Sequence, residues 1–371
     1  MRRSVPVRRS AQAAARALLA ALPPTVVALA VAMAFAPSLS ARQVPRLVHR
    51  ADIGCAMCGG PDEFGTVLAL AVGDGRIVVA DRDDPHLRLF SLDGRALGTA
   101  GRDGQGPGEV QAPFQVTVHR DGMAVVDIRA NRVLFTDLAG QERRTVRLPA
   151  FPLTAAFAPG GEALTVALAD FRAMDADFAE WNGADGFETL REGVEELGLR
   201  PPGEMPLLFS MARAPGGGFA VGIGEEDYRL MLFDPSGALV RTVTRDIPRR
   251  TKTPAEIEAE RERRRAARAR MGAAGSPEGV PDERPVDPLH RHFGVEALRY
   301  DPTGRLWVRT NRGESDTVFD LFAAGGQHLG ELRVPGRVRT FAPGDTVLAA
   351  EVLDEFDLAT VRVWSVARGT P

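Results

Sequence analysis

The chain has two cysteines, and they sit together as Cys55-Ala-Met-Cys58. That spacing occurs in redox centres, haem attachment sites and half-sites for zinc. Haem attachment needs a His directly after the second Cys, and Gly59 stands there. A structural zinc site wants about four ligands, and no second pair follows. A thioredoxin-like role needs a βαβ setting, which the flanking residues lack. A local structural disulfide is the favoured reading, worth on the order of 2 kcal/mol because its loop is so short.

Two other stretches invite chemistry. Asp170, Asp175 and Asp177 are carboxylates at metal-like intervals, but the spacing and the glycine of a calcium-binding EF-hand loop are missing. A solvated loop is the plainer reading. Gly101–Glu109 (GRDGQGPGE) is glycine-rich enough to cradle a phosphate, yet that needs a helix after it and a nearby Lys. A strand follows instead, so the glycines read as freeing the backbone of a connection. No G-x-S-x-G, H-E-x-x-H or Walker loop is present. Of six histidines, only His86 and His119 fall near a shared face or axis, which argues against a His-rich metal centre.

The elements that would position such residues repeat. Phe114–Gln141 (FQVTVHRDGMAVVDIRANRVLFTDLAGQ) reads as strand, Asp-Gly turn, strand, polar loop, strand, Ala-Gly turn, with a fourth strand running through Arg147. Val67–Thr99 has the same grammar, with Gly73-Asp74-Gly75 and Asp93-Gly94 as its hairpin turns. Four more copies align on the first turn, at Gly161, Gly217, Gly304 and Gly344, after Gly75 and Gly122. The intervals between these turns are 47, 39, 56, 87 and 40 residues. Three lie near the ~40–50-residue period of propeller blades.

One four-stranded unit cannot bury both sheet faces, whereas six stacked around an axis can. The fold expected is all-β, a six-bladed β-propeller over residues 41–371. The last unit, Arg337–Ala367, offers three strands, and the orphan run Val44–His49 can supply the fourth and close the ring.

The long intervals carry insertions. Residues 170–206 hold ten carboxylates against Arg172, Arg191 and Arg200. They are expected to replace or extend the outer strands of the third unit, with Phe187–Leu199 as a short helix. Residues 245–293 lie between blades 4 and 5. Within them, Thr253-Pro-Ala-Glu256 is a capping box that starts a helix from Pro254 to about Met271. With Ile257 its only large apolar residue before Met271, that helix has no core-facing stripe. It reads as a solvated arm or, more sharply, as a lid or docking arm.

At the N-terminus, Arg2, Arg3, Arg8, Arg9 and Arg16 precede the apolar run Leu18–Phe35 and small residues near Ser40. That order marks residues 1–40 as a secretory signal peptide; a retained anchor is the other reading. Its removal takes the formal charge from −3 to −8, and an acidic chain is a poor nucleic-acid partner.

The motif Gly106-Pro107-Gly108-Glu109, followed by Asp121-Gly122, Asp127, Asn131-Arg132-Val133 and Leu138-Ala139-Gly140, resembles secreted bacterial six-bladed propellers of the NHL and TolB-like type. Val110 stands where that group carries Phe, and Ala139 where it carries Asp. A Cys pair before the first blade is similar too. The resemblance is strong over Val67–Gln141, fair at Val295–Pro335 and weak in the third and sixth units.

Propeller ligands sit over the central channel, reached by first strands and by loops between second and third strands. Position in the repeat nominates Asp81, Asp84, His86, Asp127, Arg129, Asn131, Glu225, Asp227, Asn311, Arg312 and Glu351. Each has a plainer reading as a solvated or loop-capping residue. The function expected is an exported, non-catalytic binding or scaffolding module, periplasmic or extracellular and monomeric, for a protein or glycan of the cell envelope. It needs no cofactor. The alternative is a calcium-type, metal-dependent hydrolase or lyase with its site over the channel.

Overall fold

A computed structural model describes residues 44–54, 63–82, 84, 86–173, 175–183, 186–194, 197–199, 209–272, 285–354 and 358–367. The expected signal peptide, Cys55 and Cys58 lie outside the described residues.

Among the described residues, twenty-four strands form six four-stranded antiparallel sheets, as the repeats require, and one helix accompanies them. Blade 1 comprises β2 (Val67–Gly73), β3 (Arg76–Asp81), β4 (Leu87–Ser91) and β5 (Ala96–Ala100). Blade 2 comprises β6 (Pro113–His119), β7 (Gly122–Asp127), β8 (Arg132–Thr136) and β9 (Glu142–Arg147). Blade 3 runs through β10 (Pro152–Phe157), β11 (Leu164–Asp170), β12 (Asp175–Trp181) and β13 (Glu188–Arg191). Blade 4 is β14 (Ser210–Arg213), β15 (Phe219–Ile223), β16 (Tyr228–Phe233) and β17 (Leu239–Arg245). Blade 5 is β18 (Leu298–Tyr300), β19 (Leu306–Thr310), β20 (Thr317–Phe322) and β21 (His328–Val334). Blade 6 takes β22 (Arg337–Pro343), β23 (Val347–Leu353) and β24 (Ala359–Ala367) from one end of the chain and β1 (Arg46–Ile53) from the other. β1 pairs with β24 from Arg46 opposite Ala367 to Ile53 opposite Val361, so the closing strand starts later and runs further than Val44–His49.

Alternation along the strands explains the stacking. On β3, Ile77 and Val79 face blade 6, while Val78 and Ala80 face blade 2. The same division gives six apolar clusters, one at each junction between neighbouring blades. The innermost strands touch their neighbours all round, from β2 through to β22 and back.

Residues 170–206 do supply the outer half of blade 3, as β12 and β13. The helix expected over Phe187–Leu199 is not formed at its described residues: Glu188–Arg191 is a strand. Gly193 and Gly198, at φ 61° and 62°, then turn the chain through conformations no helix permits. Val194, Leu197 and Leu199 are buried between blades 3 and 4, so their apolar spacing serves an irregular cover. The expected helix between blades 4 and 5 is present as α1 (Pro254–Gly272).

Candidate functional site

Each blade is an antiparallel meander, so its second-to-third-strand loop and the connector to the next blade emerge at one end of the ring. The hairpins between first and second, and third and fourth, strands emerge at the other. The inner strands enclose a narrow channel of about 70 Å³, lined among others by Gln115, Thr117, Arg213, Arg299 and Tyr300. At the connector end it opens into a mouth of about 420 Å³. Thr66, Arg82, Glu296, Arg339 and Thr340 give the mouth its polar groups, and Val67, Pro113, Phe114 and Ile128 its apolar wall.

The charge in this region comes mostly from blade 5. Glu296, just before β18, sits at φ 56°, a conformation a residue with a Cβ rarely adopts. Its carboxylate Oε1 accepts a hydrogen bond from Gln115 Nε2 at 3.1 Å, and Gln115 Oε1 accepts from Arg299 Nη2 at 3.4 Å. Arg299 also donates to the Leu298 carbonyl at 2.9 Å. Arg309, on β19, donates Nη1 to the Val338 carbonyl at 2.8 Å, while its buried Nε has no partner.

Burial pushes both guanidiniums down, Arg309 to about 10, which leaves Arg309 protonated at neutral pH. Both retain some accessible surface, and Arg299 lines the channel. Burial pushes Glu296 up, against the pull of Arg299 and Arg309.

Two other arginines nearby are paired with carboxylates. Arg213 donates to Thr165 Oγ1 at 2.6 Å and to Glu180 Oε1 at 2.5 Å. Arg339 grips Glu351 with two hydrogen bonds, Nε to Oε2 at 2.8 Å and Nη2 to Oε1. Glu296 pulls on both Arg299 and Arg309, and Glu351 pulls on Arg309 as well.

The residues nominated from the repeat lie at this same end, but none lines the mouth. Asp81, buried, accepts the amides of Gly65 (2.8 Å) and Thr66 (3.1 Å). Asp127, fully buried, accepts those of Gln111 (3.1 Å) and Ala112 (3.2 Å), the equivalent pair one blade on. An aspartate closing the second strand therefore holds the connector that delivers the first. Asp84 accepts from the His86 amide (2.9 Å), its ring Nδ1 (2.8 Å) and Arg88 Nε (2.8 Å). Asn131, at φ 50°, donates Nδ2 to the Leu148 carbonyl at 3.1 Å. Asn311 donates Nδ2 to the Arg291 carbonyl at 3.0 Å, and Glu225 pairs with Arg291 at 2.9 Å. Arg312 bridges buried Asp320 (2.6 Å) and Glu331 (3.1 Å). Glu351 accepts the Val67 amide at 3.3 Å, tying blade 6 to blade 1. Arg129 and Asp227 are exposed.

The glycine-rich connector is occupied by its own carboxylate. Glu109 accepts from the Gly106 amide (2.7 Å) and Arg102 Nε (3.0 Å), leaving no room for a phosphate. It packs on the next hairpin, where a Cβ on Gly140 (φ 82°) would lie 2.3 Å from the Gly101 nitrogen. Among the described residues, no three His, Cys, Asp or Glu side chains group to hold a metal ion, and no helix is long and apolar enough to cross a membrane.

Gln115, Glu296, Arg299, Arg309 and Arg339 were not among the nominated residues. Their signal is a polar residue breaking an apolar first or second strand, as in PFQVTVH, LRY, LWVRT and RVRTF, or standing just before one.

No family model matches the chain, and no curated protein matches it by sequence. Solved structures do match. One is a Bacteroides fragilis protein described as exported (10% identity, 88% of this chain and 96% of that one, TM-score 0.50). A Bacteroides thetaiotaomicron protein of unknown function matches at 12% identity over 87% and 76%, also with TM-score 0.50. A Bacteroides vulgatus member of the DUF4221 family matches at 10% identity over 88% and 98%, with TM-score 0.48. At such identities the likeness to the first two is one of fold alone.

Proposed function

We propose that the chain is an exported binding propeller of the NHL and TolB-like type, acting without catalysis on a protein or glycan of the cell envelope. The end of the ring carrying the channel mouth is its ligand-facing end. The observation that carries this reading is Glu296, held at φ 56° in the wall of the mouth and engaged by Gln115 from another blade. Strained polar residues converging on a cavity are what a ligand site requires.

Export rests on the basic, apolar and small residues of positions 1–40, and places the protein in the periplasm or outside the cell. A monomer is favoured because the ring covers its own sheet faces. The arm at 245–293 rises from the same end as the mouth, since it connects β17 to β18. Its base is fixed by the bridge between Thr251 and Leu289 and by the amides of Lys252 and His290.

Photo-crosslinkers at Arg129 and Asp227, on the mouth end, and at Arg120 and Asp121, on the opposite end, test the assignment against an envelope fraction. Saturable products only from the first pair are expected. Products only from the second pair, or equally from both, overturn it.

A further inference from the structure

The lining of the mouth goes further and names a ligand class. We propose that the mouth binds a short neutral saccharide, with ring C–H faces against Pro113, Phe114 and Ile128 and hydroxyls shared among Glu296, Arg82, Arg339, Thr66 and Thr340. The inference rests on the reading of the mouth as the ligand-facing end, and within that reading it chooses glycan over protein.

Three observations converge. The first is charge of both signs. Arg82 and Arg339 line the mouth, and so does Glu296. Behind them Glu351 is gripped by Arg339, and buried Asp81 adjoins Arg82 in the chain. Arg309 faces Glu296 and Glu351 together. A bare anion entering the mouth meets Glu296, and a bare cation meets two guanidiniums. A group that both donates and accepts is matched instead, and a hydroxyl is such a group.

The second is hydrogen-bonding capacity left over. Thr340 is buried, its Oγ1 has no partner, and the residue lines the mouth. Glu296 gives Oε1 to Gln115, and among the described residues its Oε2 accepts no hydrogen bond. A buried hydroxyl without a partner costs free energy that a ligand hydroxyl recovers. Adjacent hydroxyls on a sugar ring can engage one carboxylate or one guanidinium as a pair, the two-pronged geometry in which such groups bind best.

The third is the wall. A cavity of about 420 Å³ is within the size of ordinary small-ligand sites, and it admits a short saccharide but not a folded protein surface. Val67, Pro113, Phe114 and Ile128 make part of it apolar. A sugar ring carries an apolar C–H face beside its hydroxyls, and the negative face of an aromatic ring attracts those hydrogens. A simple inorganic ion gains nothing from such a wall.

The test titrates the intact protein with maltose, cellobiose, lactose and N,N′-diacetylchitobiose, by calorimetry and thermal shift. Glucuronate, glucosamine and tri-alanine serve as charged and peptide counterparts. At least one neutral disaccharide is expected to bind saturably at millimolar concentration, to raise the melting temperature and to hold its affinity as salt is raised. The charged sugars and the peptide should bind at least about tenfold more weakly. Glu296→Gln should lose about tenfold in affinity for that disaccharide, the equivalent of one charge-assisted contact. Thr340→Val should lose several-fold, while the melting temperature of the free protein holds or rises because an unmet buried hydroxyl is removed. Loss of affinity without loss of stability separates a binding role from poor folding.

No saturable binding of any neutral disaccharide at millimolar concentration, equal or tighter binding of a charged sugar or the peptide, or an affinity unmoved by both substitutions would overturn the proposal. Crosslinks still confined to Arg129 and Asp227 would then leave the binding end standing, with only the saccharide assignment lost. Crosslinks at Arg120 and Asp121 would remove both.

Discussion

Gln115 of blade 2 and Glu296 of blade 5 meet across the central channel, Nε2 to Oε1 at 3.1 Å. In a ring of six, these blades stand opposite each other. The bond is therefore a strut across the axis, and through Arg299 it joins the mouth to the narrow channel below. A strut between opposite blades adds little to ring stability, which resides in the six apolar junctions, but it fixes the carboxylate that any ligand must meet.

Gln115→Ala should therefore cost only about 1 kcal/mol in urea unfolding, the worth of one such hydrogen bond. The side-chain environment of Glu296 should change far more than the stability does. A carboxyl-carbon NMR titration of Glu296 in wild type and variant checks this. An unfolded variant, or an unmoved Glu296 titration, would show that the strut has a different role.

Asp81 and Asp127 are loop caps, and their removal should act on stability. Asp127→Ala and Asp81→Ala should each cost about 2 kcal/mol, since each leaves two connector amides without their charged acceptor. Arg129→Ala, at an exposed position in the next loop, should stay within about 0.5 kcal/mol. Chemical denaturation of the three variants separates the two kinds of loop residue.

Those two aspartates show how far the sequence could be read. The ring, its closure by a strand from the N-terminal part of the chain, and the helix after Thr253 were all legible, because strand alternation and capping chemistry are local and repeat. The same repeat put the nominated loop residues at the connector end of the ring. It did not point to the mouth, because position in a repeat says where a loop emerges and not what its side chain meets. Asp81 and Asp127 turn back onto the backbone. Arg299 looks like a minor polar interruption in LRY until blade 2 brings Gln115 to it from 184 residues away. The failed helix at Phe187–Leu199 has a local cause in Gly193 and Gly198, which outweighed a helix-like apolar spacing.

Glu351 ties blade 6 to blade 1 at the closing junction. Its carboxylate holds the Val67 amide of blade 1 and the Arg339 guanidinium within blade 6. Glu351→Leu should cost about 2–4 kcal/mol by stranding Arg339 and the amide, and Glu351→Gln distinctly less. Thermal melts rank the two; equal losses would mean the carboxylate's charge contributes nothing to closure.

The arm should loosen in acid. Burial raises the Glu256 carboxyl, but hydrogen bonds from Arg250 and from the amide and hydroxyl of Thr253, with His290 beside it, outweigh burial and hold it at about 2, against an ordinary 4.5. Ionised Glu256 therefore stabilises the arm base fully above pH 4.5, and that contribution is lost as pH falls from 4.5 towards 2. Limited proteolysis should show cleavage within α1 rising over this window before the blades unfold. Thr253→Ala, which removes the other half of the capping box and costs about 1 kcal/mol, should bring the same cleavage at neutral pH.

The most direct test of the mouth as the ligand-facing end is methyl NMR of the intact protein during titration with whatever the mouth-end crosslinks capture. Saturable shifts are expected at Ile128, Val67 and Leu68, which line the mouth, with Leu97 and Val240 on outer strands unmoved. Shifts confined to Leu97 and Val240, with the mouth methyls silent at saturation, would contradict it.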